Sequence, residues 1–339
     1  MKDSQIKNMT FTNIVWQNSR AIRMRRTSIW NMDFVGCSFL QTSADEVMVK
    51  AELVTLLGRL RFKDCNFVSY TDTLTSSTSW ASFNFVRNKT HPIPGAESFV
   101  MDNVDFYATR GAAGEYQLME IDVDGARNLQ IINSRFRGGA TLYLSDSIGV
   151  VIANTTYTDT GITSTTSSNI TIRNCLFKDI RVLDRSRSPY ARSIHFKDAS
   201  PPGTGPRTVA LIGNEFRNFV PEPGINNAAV SFSASPARIF FDGVTLTGNR
   251  FINLDQKGLY SVMDEDFALQ IQAQRNWWGS NSGPRDGCNR KAKGSNIWWD
   301  TSTLRTNVVY RPWCYNEACT STASNSKDCP WPVYIYVVI

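Results

Sequence analysis

Residues 120–177 read EIDVDGARNLQIINSRFRGGATLYLSDSIGVVIANTTYTDTGITSTTSSNITIRNCLF. Three times within this stretch an asparagine is followed three residues later by an aromatic: Asn133 and Phe136, Asn154 and Tyr157, Asn174 and Phe177. An isoleucine stands five residues before each aromatic, at Ile131, Ile152 and Ile172. A period this short, about 20 residues, is the mark of stacked supersecondary units, none of which can bury its apolar face alone.

The same pattern extends outward in both directions. The aromatics Phe11, Phe39, Phe67, Phe106, Phe136, Tyr157, Phe177, Phe216 and Phe251 are separated by 28, 28, 39, 30, 21, 20, 39 and 35 residues. Short intervals approximate one bare unit, and long ones carry insertions. Five residues earlier stand Ile6, Phe34, Phe62, Met101, Ile131, Ile152, Ile172, Leu211 and Leu246, an unbroken apolar column that should face the core. Three residues earlier stand Asn8, Gly36, Asp64, Asn103, Asn133, Asn154, Asn174, Gly213 and Gly248. These are the residue types that accept a left-handed backbone at a sharp bend.

A second strand precedes each unit, with inward positions such as Ile121 and Val123, Leu142 and Leu144, Ile194 and Phe196, Val230 and Phe232. Alternation of period two sends the residues between them to solvent. A strand, a turn and a bent strand in each unit predict an all-β chain: a right-handed parallel β-helix solenoid of about ten rungs. A leucine-rich solenoid has a similar period, but its L-x-x-L-x-L-x-x-N pattern is missing. An open sandwich would not hold one bend residue at one offset over so many units.

The bulk composition agrees. The chain has 339 residues, 42% hydrophobic and 19% charged, with a formal net charge of +6. That is enough apolar material for a continuous core and excludes a disordered chain. The apolar stretches are strand-sized, as at 209–212, far below the roughly 20 residues of a membrane helix. The opening MKDSQIKNMTF lacks the apolar core of a secretory signal. Because the cysteines and the sequons at Asn88 and Asn169 point to an oxidising compartment, the expectation is an excised piece of a larger extracellular or surface protein, monomeric, with both ends cut.

From Asn276 the chain reads NWWGSNSGP, continuing to RTNVVYRPWC. With the preceding N-x-x-F units, this resembles the closing segment of the parallel β-helix repeat proteins of the pectin-lyase-like superfamily. The resemblance implies a fold and leaves the chemistry open, because that superfamily includes pectate and alginate lyases, galacturonases, epimerases, phage tailspikes and many surface proteins without known activity. The G-H-G motif of the galacturonases and the D-P-H-E motif of the alginate epimerases are absent from the sequence. The domain reading is a β-helix over 1–280, a closing segment rich in cysteine and tryptophan over 281–332, and the start of a further region over 333–339.

Seven cysteines divide into two groups. Cys37, Cys65 and Cys175 each stand two residues before a repeat aromatic, which suits small buried thiols in the wall. Cys288, Cys314, Cys319 and Cys329 cluster in the closing segment and are expected as two disulfides, with Cys288–Cys314 and Cys319–Cys329 the favoured pairing of three. Zinc is the lesser reading, since neither a C-x-x-C pair nor a nearby histidine supports it.

Chemistry is expected on the outward side of the first strand, where side chains form columns at the strand spacing of about 4.8 Å. In chain order this face offers Arg23 and Arg25, Lys50, Asn84, Glu120 with Asp122, Tyr143, Thr163, His195 with Lys197, and Ser231. Glu120 and Asp122 share one strand face and are the candidate calcium ligands. Lys50, His195 and Lys197 are the candidate bases for removing the proton alpha to a uronate carboxylate. Arg185 and Arg187, in the arginine-rich insertion between Phe177 and Phe216, are further candidate substrate contacts, because guanidinium pairs bidentately with carboxylate or sulfate. The functional expectation is a module binding carbohydrate, specifically anionic polysaccharide. The alternatives are a polysaccharide lyase on uronate polymers and a structural stalk. No basic helix accompanies the arginines, so nucleic acid is not an expected partner.

Overall fold

A computed structural model describes residues 2–17, 21–41, 47–69, 80–89, 98–108, 119–180, 192–198, 208–219, 228–234, 243–254, 257–262, 270–285, 290–299 and 307–323. Among them the secondary structure is strand without helix, and every strand pairing is parallel except the short hairpin of Trp313–Cys314 with Thr322–Ala323. No helix among the described residues is long and apolar enough to cross a membrane.

The strands lie on three faces of a solenoid-like stack. The first face holds Ile22–Arg25, Trp80–Arg87, Met119–Asp124, Ala140–Ser145, Ile162–Thr165, Arg192–Asp198 and their successors. The second holds Ser28–Val35, Ser98–Asp102, Leu129–Ile132, Ile148–Ala153, Ser168–Arg173 and Thr208–Ile212, with others before and after. The long strand Val49–Lys63 belongs to both and joins them. The third face is a separate nine-stranded sheet from Val15–Gln17 to Arg250–Leu254. Beyond residue 280, Asn296–Trp299 and Asn307–Val309 continue the first and second faces.

Parallel stacking puts each residue on its counterpart one unit away, so like side chains meet. On the third face this produces ten stacked rings: Trp16, Phe39, Phe67, Phe106, Phe136, Tyr157, Phe177, Phe216, Phe251 and Trp278. Centroids are 4.4–5.1 Å apart along the whole ladder, within the favourable range for stacked pairs. Five residues earlier, Phe34, Phe62, Met101, Ile131, Ile152, Ile172, Leu211 and Leu246 are fully buried and in register.

The first unit departs from the sequence reading. Phe11 pairs with Phe34, and Trp16, not Phe11, begins the aromatic ladder. Ile6 pairs with Ile29, so it leaves the expected column to Phe11. The bend residue is Asn13, with φ of 54°, in place of Asn8. Asn8 also has positive φ, at 52°, but serves an earlier turn, where its Oδ1 accepts from Asn31 Nδ2 at 2.8 Å. The other bend positions, from Gly36 to Gly248, all have positive φ as expected, and Arg275 extends them at 57°.

Two residues before each ladder aromatic, the wall carries side chains that bond to backbone. Asn214, Asn249 and Asn276 are fully buried and form a ladder of their own. Asn249 Nδ2 donates to the Leu211 carbonyl at 2.9 Å and to Asn276 Oδ1 at 3.0 Å, while its Oδ1 accepts from the Asn214 amide at 2.9 Å. Each asparagine thereby satisfies groups in neighbouring units that burial would otherwise leave unpaired. Ser134 and Thr155 do the same with a hydroxyl, accepting from the amides of Val104 and Ser134. Cys37, Cys65 and Cys175 are free and buried at this position, each thiol set against carbonyls. Desolvation pushes Cys65 up to about 11 and Cys175 up to about 12, so these thiols stay protonated and inert.

The disulfide pairing also differs from expectation. Cys314 is bonded to Cys319, which excludes both Cys288–Cys314 and Cys319–Cys329; Cys288 and Cys329 themselves lie outside the described residues. The local turn explains the pairing: Cys319 has a positive φ of 54°, which folds the chain back over five residues and brings the two Cα atoms to 4.7 Å. The closing region 324–339, including the expected further region 333–339, is outside the described residues.

Two expectations follow. Tyr157 is the one ladder ring with a hydroxyl, and that oxygen is buried without a hydrogen-bond partner among the described residues. Tyr157→Phe should therefore leave stability unchanged or raise it by about 1 kcal/mol, whereas Phe136→Ala should cost about 3–5 kcal/mol in urea melts. Peptide mapping without reduction should recover the Cys314–Cys319 link, and a Cys288–Cys314 peptide would contradict it.

Candidate functional site

The outward column expected on the first face is present as a continuous register. Arg23 pairs with Lys50, Lys50 with Asn84, Asn84 with Asp122, Asp122 with Tyr143, Tyr143 with Thr163, and Thr163 with His195. At about 4.8 Å per strand these seven residues span roughly 29 Å. The register continues through Ser231, Tyr260 and Trp298. Ser231 corrects the sequence reading: rather than facing solvent it is fully buried, with Oγ donating to the Ile194 carbonyl at 3.4 Å.

The column is graded in exposure and charge. Arg23, Arg25 and Lys197 are exposed, while Lys50, Asn84, Glu120, Asp122, Tyr143 and His195 are half-buried. Lys50 Nζ lies 2.7 Å from Glu52, and that bond, with Arg23 and Arg25 nearby, holds the Glu52 carboxyl below its usual range. Lys50 is thus engaged by a carboxylate of its own strand. Glu120 stands one position away from the main column, in register with Thr141. His195 and Lys197 lie on one strand, three strands from Asp122, so they form no joint site with the carboxylates. Arg185 and Arg187 are outside the described residues.

The strand Met119–Asp124 carries three carboxylates, and their environments separate them. Asp124 is paired with Lys89 at 2.9 Å, a lysine shared with Asp146 at 2.6 Å. Asp122 is pushed up to about 6, first by desolvation and then by the charge of Glu120, against the opposing hydrogen bond from Asn84. No group of three or more His, Cys, Asp or Glu among the described residues is placed to hold a metal ion. Glu120 and Asp122 are thus not joined by a further such ligand among the described residues.

The third face has a different character. Arg137 forms a bidentate pair with Asp105, at 3.0 and 2.6 Å, and lies 4.5 Å above the Tyr107 ring. Glu215 is paired with both Arg217 and Arg250. Charges neutralised within a face offer little to a charged ligand, whereas the first face keeps exposed arginines at one end. Comparison of the chain with protein-family models, with curated proteins and with solved structures finds no significant match in any of the three.

The elevated Asp122 carboxyl gives a pH test. Its folded value lies above the usual 3.8, so the stability it contributes is complete below about pH 4 and is lost as pH rises through about 6. Asp122→Asn should melt about 1–4 °C above the parent at pH 7 and together with it at pH 4. Equal melting temperatures at both pH values would show that the carboxyl is not desolvated.

Proposed function

We propose that the chain is a right-handed parallel β-helix of the pectin-lyase-like kind, and that its first face binds an anionic polysaccharide laid along the solenoid axis. The carrying observation is the seven-residue column from Arg23 to His195 in unbroken register. A linear polymer on such a face meets a new side chain every ~4.8 Å, so repeating sugars can find repeating partners. The basic end supplies attraction: between residues 1 and 63 there are ten Lys and Arg against five Asp and Glu, so most of the net charge of +6 sits in the first units. Asn84, Tyr143 and Thr163 supply neutral hydrogen-bonding groups further along. The disulfide Cys314–Cys319 favours an oxidising, extracellular or surface location.

Lyase action, with Lys50, His195 or Lys197 as base, is less well supported. Lys50 is held by Glu52, and His195 stands in register between Thr163 and Ser231. A purely structural stalk would need no basic end.

Affinity for an oligogalacturonate should fall with added salt, as the screening length shrinks from about 10 Å at 0.1 M to about 3 Å at 1 M. Reversal of the two exposed arginines, Arg23→Glu with Arg25→Glu, should weaken binding while costing under about 0.5 kcal/mol each in stability. Binding should tighten between pH 7 and pH 5 as Asp122 takes up its proton, and Asp122→Asn should remove that dependence. Release of unsaturated uronate, seen by ultraviolet absorbance, would establish the lyase instead. Failure to bind any acidic glycan would leave the stalk.

A further inference from the structure

The second face carries a feature that the polymer column does not use. Trp30 is 44% exposed, in contrast to the fully buried ladder tryptophan Trp278. It sits where Ser28–Val35 meets an irregularity in the pairing with Val49–Lys63, between Ile29 and Asn31. Gly58 makes this approach feasible, because a Cβ there would lie 1.8 Å from the Trp30 carbonyl oxygen. Lys7, on the preceding unit, holds its ammonium 5.6 Å from the indole centroid.

Next along the strand, Asn31 stands in register with Arg59 and Asp33 with Arg61, and the two arginines share the Asp33 carboxylate. Arg59 makes a bidentate pair with Asp33, at 3.1 and 2.7 Å, and Arg61 Nε lies 3.2 Å from the same carboxylate. The carboxylate accepts two hydrogen bonds from Arg59 and pairs with Arg61 by charge, while Arg61 Nε itself is buried and meets no hydrogen-bond geometry among the described residues. Among the described residues Lys7, Arg59 and Arg61 gather round the single carboxylate of Asp33, a surplus of positive charge whose complement is an anion.

We propose that this surface is a second glycan subsite, separate from the first face: Trp30 seats the apolar CH face of a pyranose ring, and Lys7, Arg59 and Arg61 take its carboxylate or sulfate. The site rests on the reading that the chain meets anionic glycans, but not on the residues of the first face. An indole offers a broad rigid platform at low entropic cost, and guanidinium offers a fork matched to planar or tetrahedral oxyanions.

The test is calorimetric titration of the whole chain with a galacturonate hexasaccharide, a sulfated heparin-type hexasaccharide and neutral cellohexaose. The parent should bind two equivalents of at least one acidic ligand; a preference between the two identifies carboxylate or sulfate as the recognised group. Trp30→Ala, and independently Lys7→Glu, should remove one equivalent or weaken it roughly tenfold, while Trp30→Phe retains it. The pair Arg23→Glu with Arg25→Glu should leave this equivalent intact. An unchanged stoichiometry and affinity in Trp30→Ala and Lys7→Glu would overturn the subsite while leaving the first-face reading standing. Equal occupancy by cellohexaose at the Trp30 site would overturn its anionic class. Absence of acidic-glycan binding in the parent would overturn both readings. Should Trp30→Ala not fold, as judged by circular dichroism, Lys7→Glu and Arg61→Gln decide the matter, because either must weaken the second equivalent.

Discussion

Everything in this molecule follows from in-register parallel stacking, which sets each side chain directly over its counterpart one unit away. Inward positions must then be self-complementary. Flat rings satisfy that condition well, and ten of them stack without a break from Trp16 to Trp278. A buried amide satisfies it differently, by donating to a carbonyl behind it and accepting from an amide ahead, as Asn249 does between Asn214 and Asn276. A buried polar group without such a partner would cost about 1–3 kcal/mol. The wall position therefore holds mostly residues that can reach backbone with an amide, hydroxyl or thiol, with Ile14 and Val104 as apolar exceptions.

The same rule explains how much of the fold was legible in the sequence. The apolar and bend columns could be read because they recur at fixed offsets from an aromatic, and eight of the nine bend residues were placed correctly. The first unit was misplaced because it satisfies the pattern twice: Ile6, Asn8, Phe11 and Phe11, Asn13, Trp16 have the same offsets. Only the pairing of Phe11 with Phe34 decides between them, and that is a long-range fact. The disulfide was misread for the opposite reason. The pairing favoured from the sequence, Cys288–Cys314 with Cys319–Cys329, has no spacing rule to decide it, and the tight turn at Cys319 is a matter of local backbone. The outward column was readable in identity but not in environment. Period-two alternation places Ser231 on the outward side, and nothing in that alternation shows that the position is covered.

Charge is distributed unevenly over a regular frame, and that unevenness is what makes the first face a candidate for binding. On the third face, acid and base lie in register and cancel, as Asp105 does with Arg137. On the first face the carboxylates cluster on one central strand while the arginines stand at one end, so the field varies along the axis. Half-burying a strand that carries three carboxylates has a cost: desolvation first, and the charge of Glu120 second, make Asp122 reluctant to ionise.

The aromatic ladder is indifferent to the length of chain between its rings. Tyr157 and Phe177 are 20 residues apart and stack at 4.7 Å; Phe177 and Phe216 are 39 apart and stack at 5.0 Å. Doubling an excursion thus leaves the stack unaltered and costs only closure entropy, about 0.6 kcal/mol per doubling for a flexible loop. Such a frame separates what must be conserved to stand from what is free to vary. Segments extruded between units can lengthen, shorten or change sequence under selection for recognition, while the column of rings underneath carries the load without registering the change.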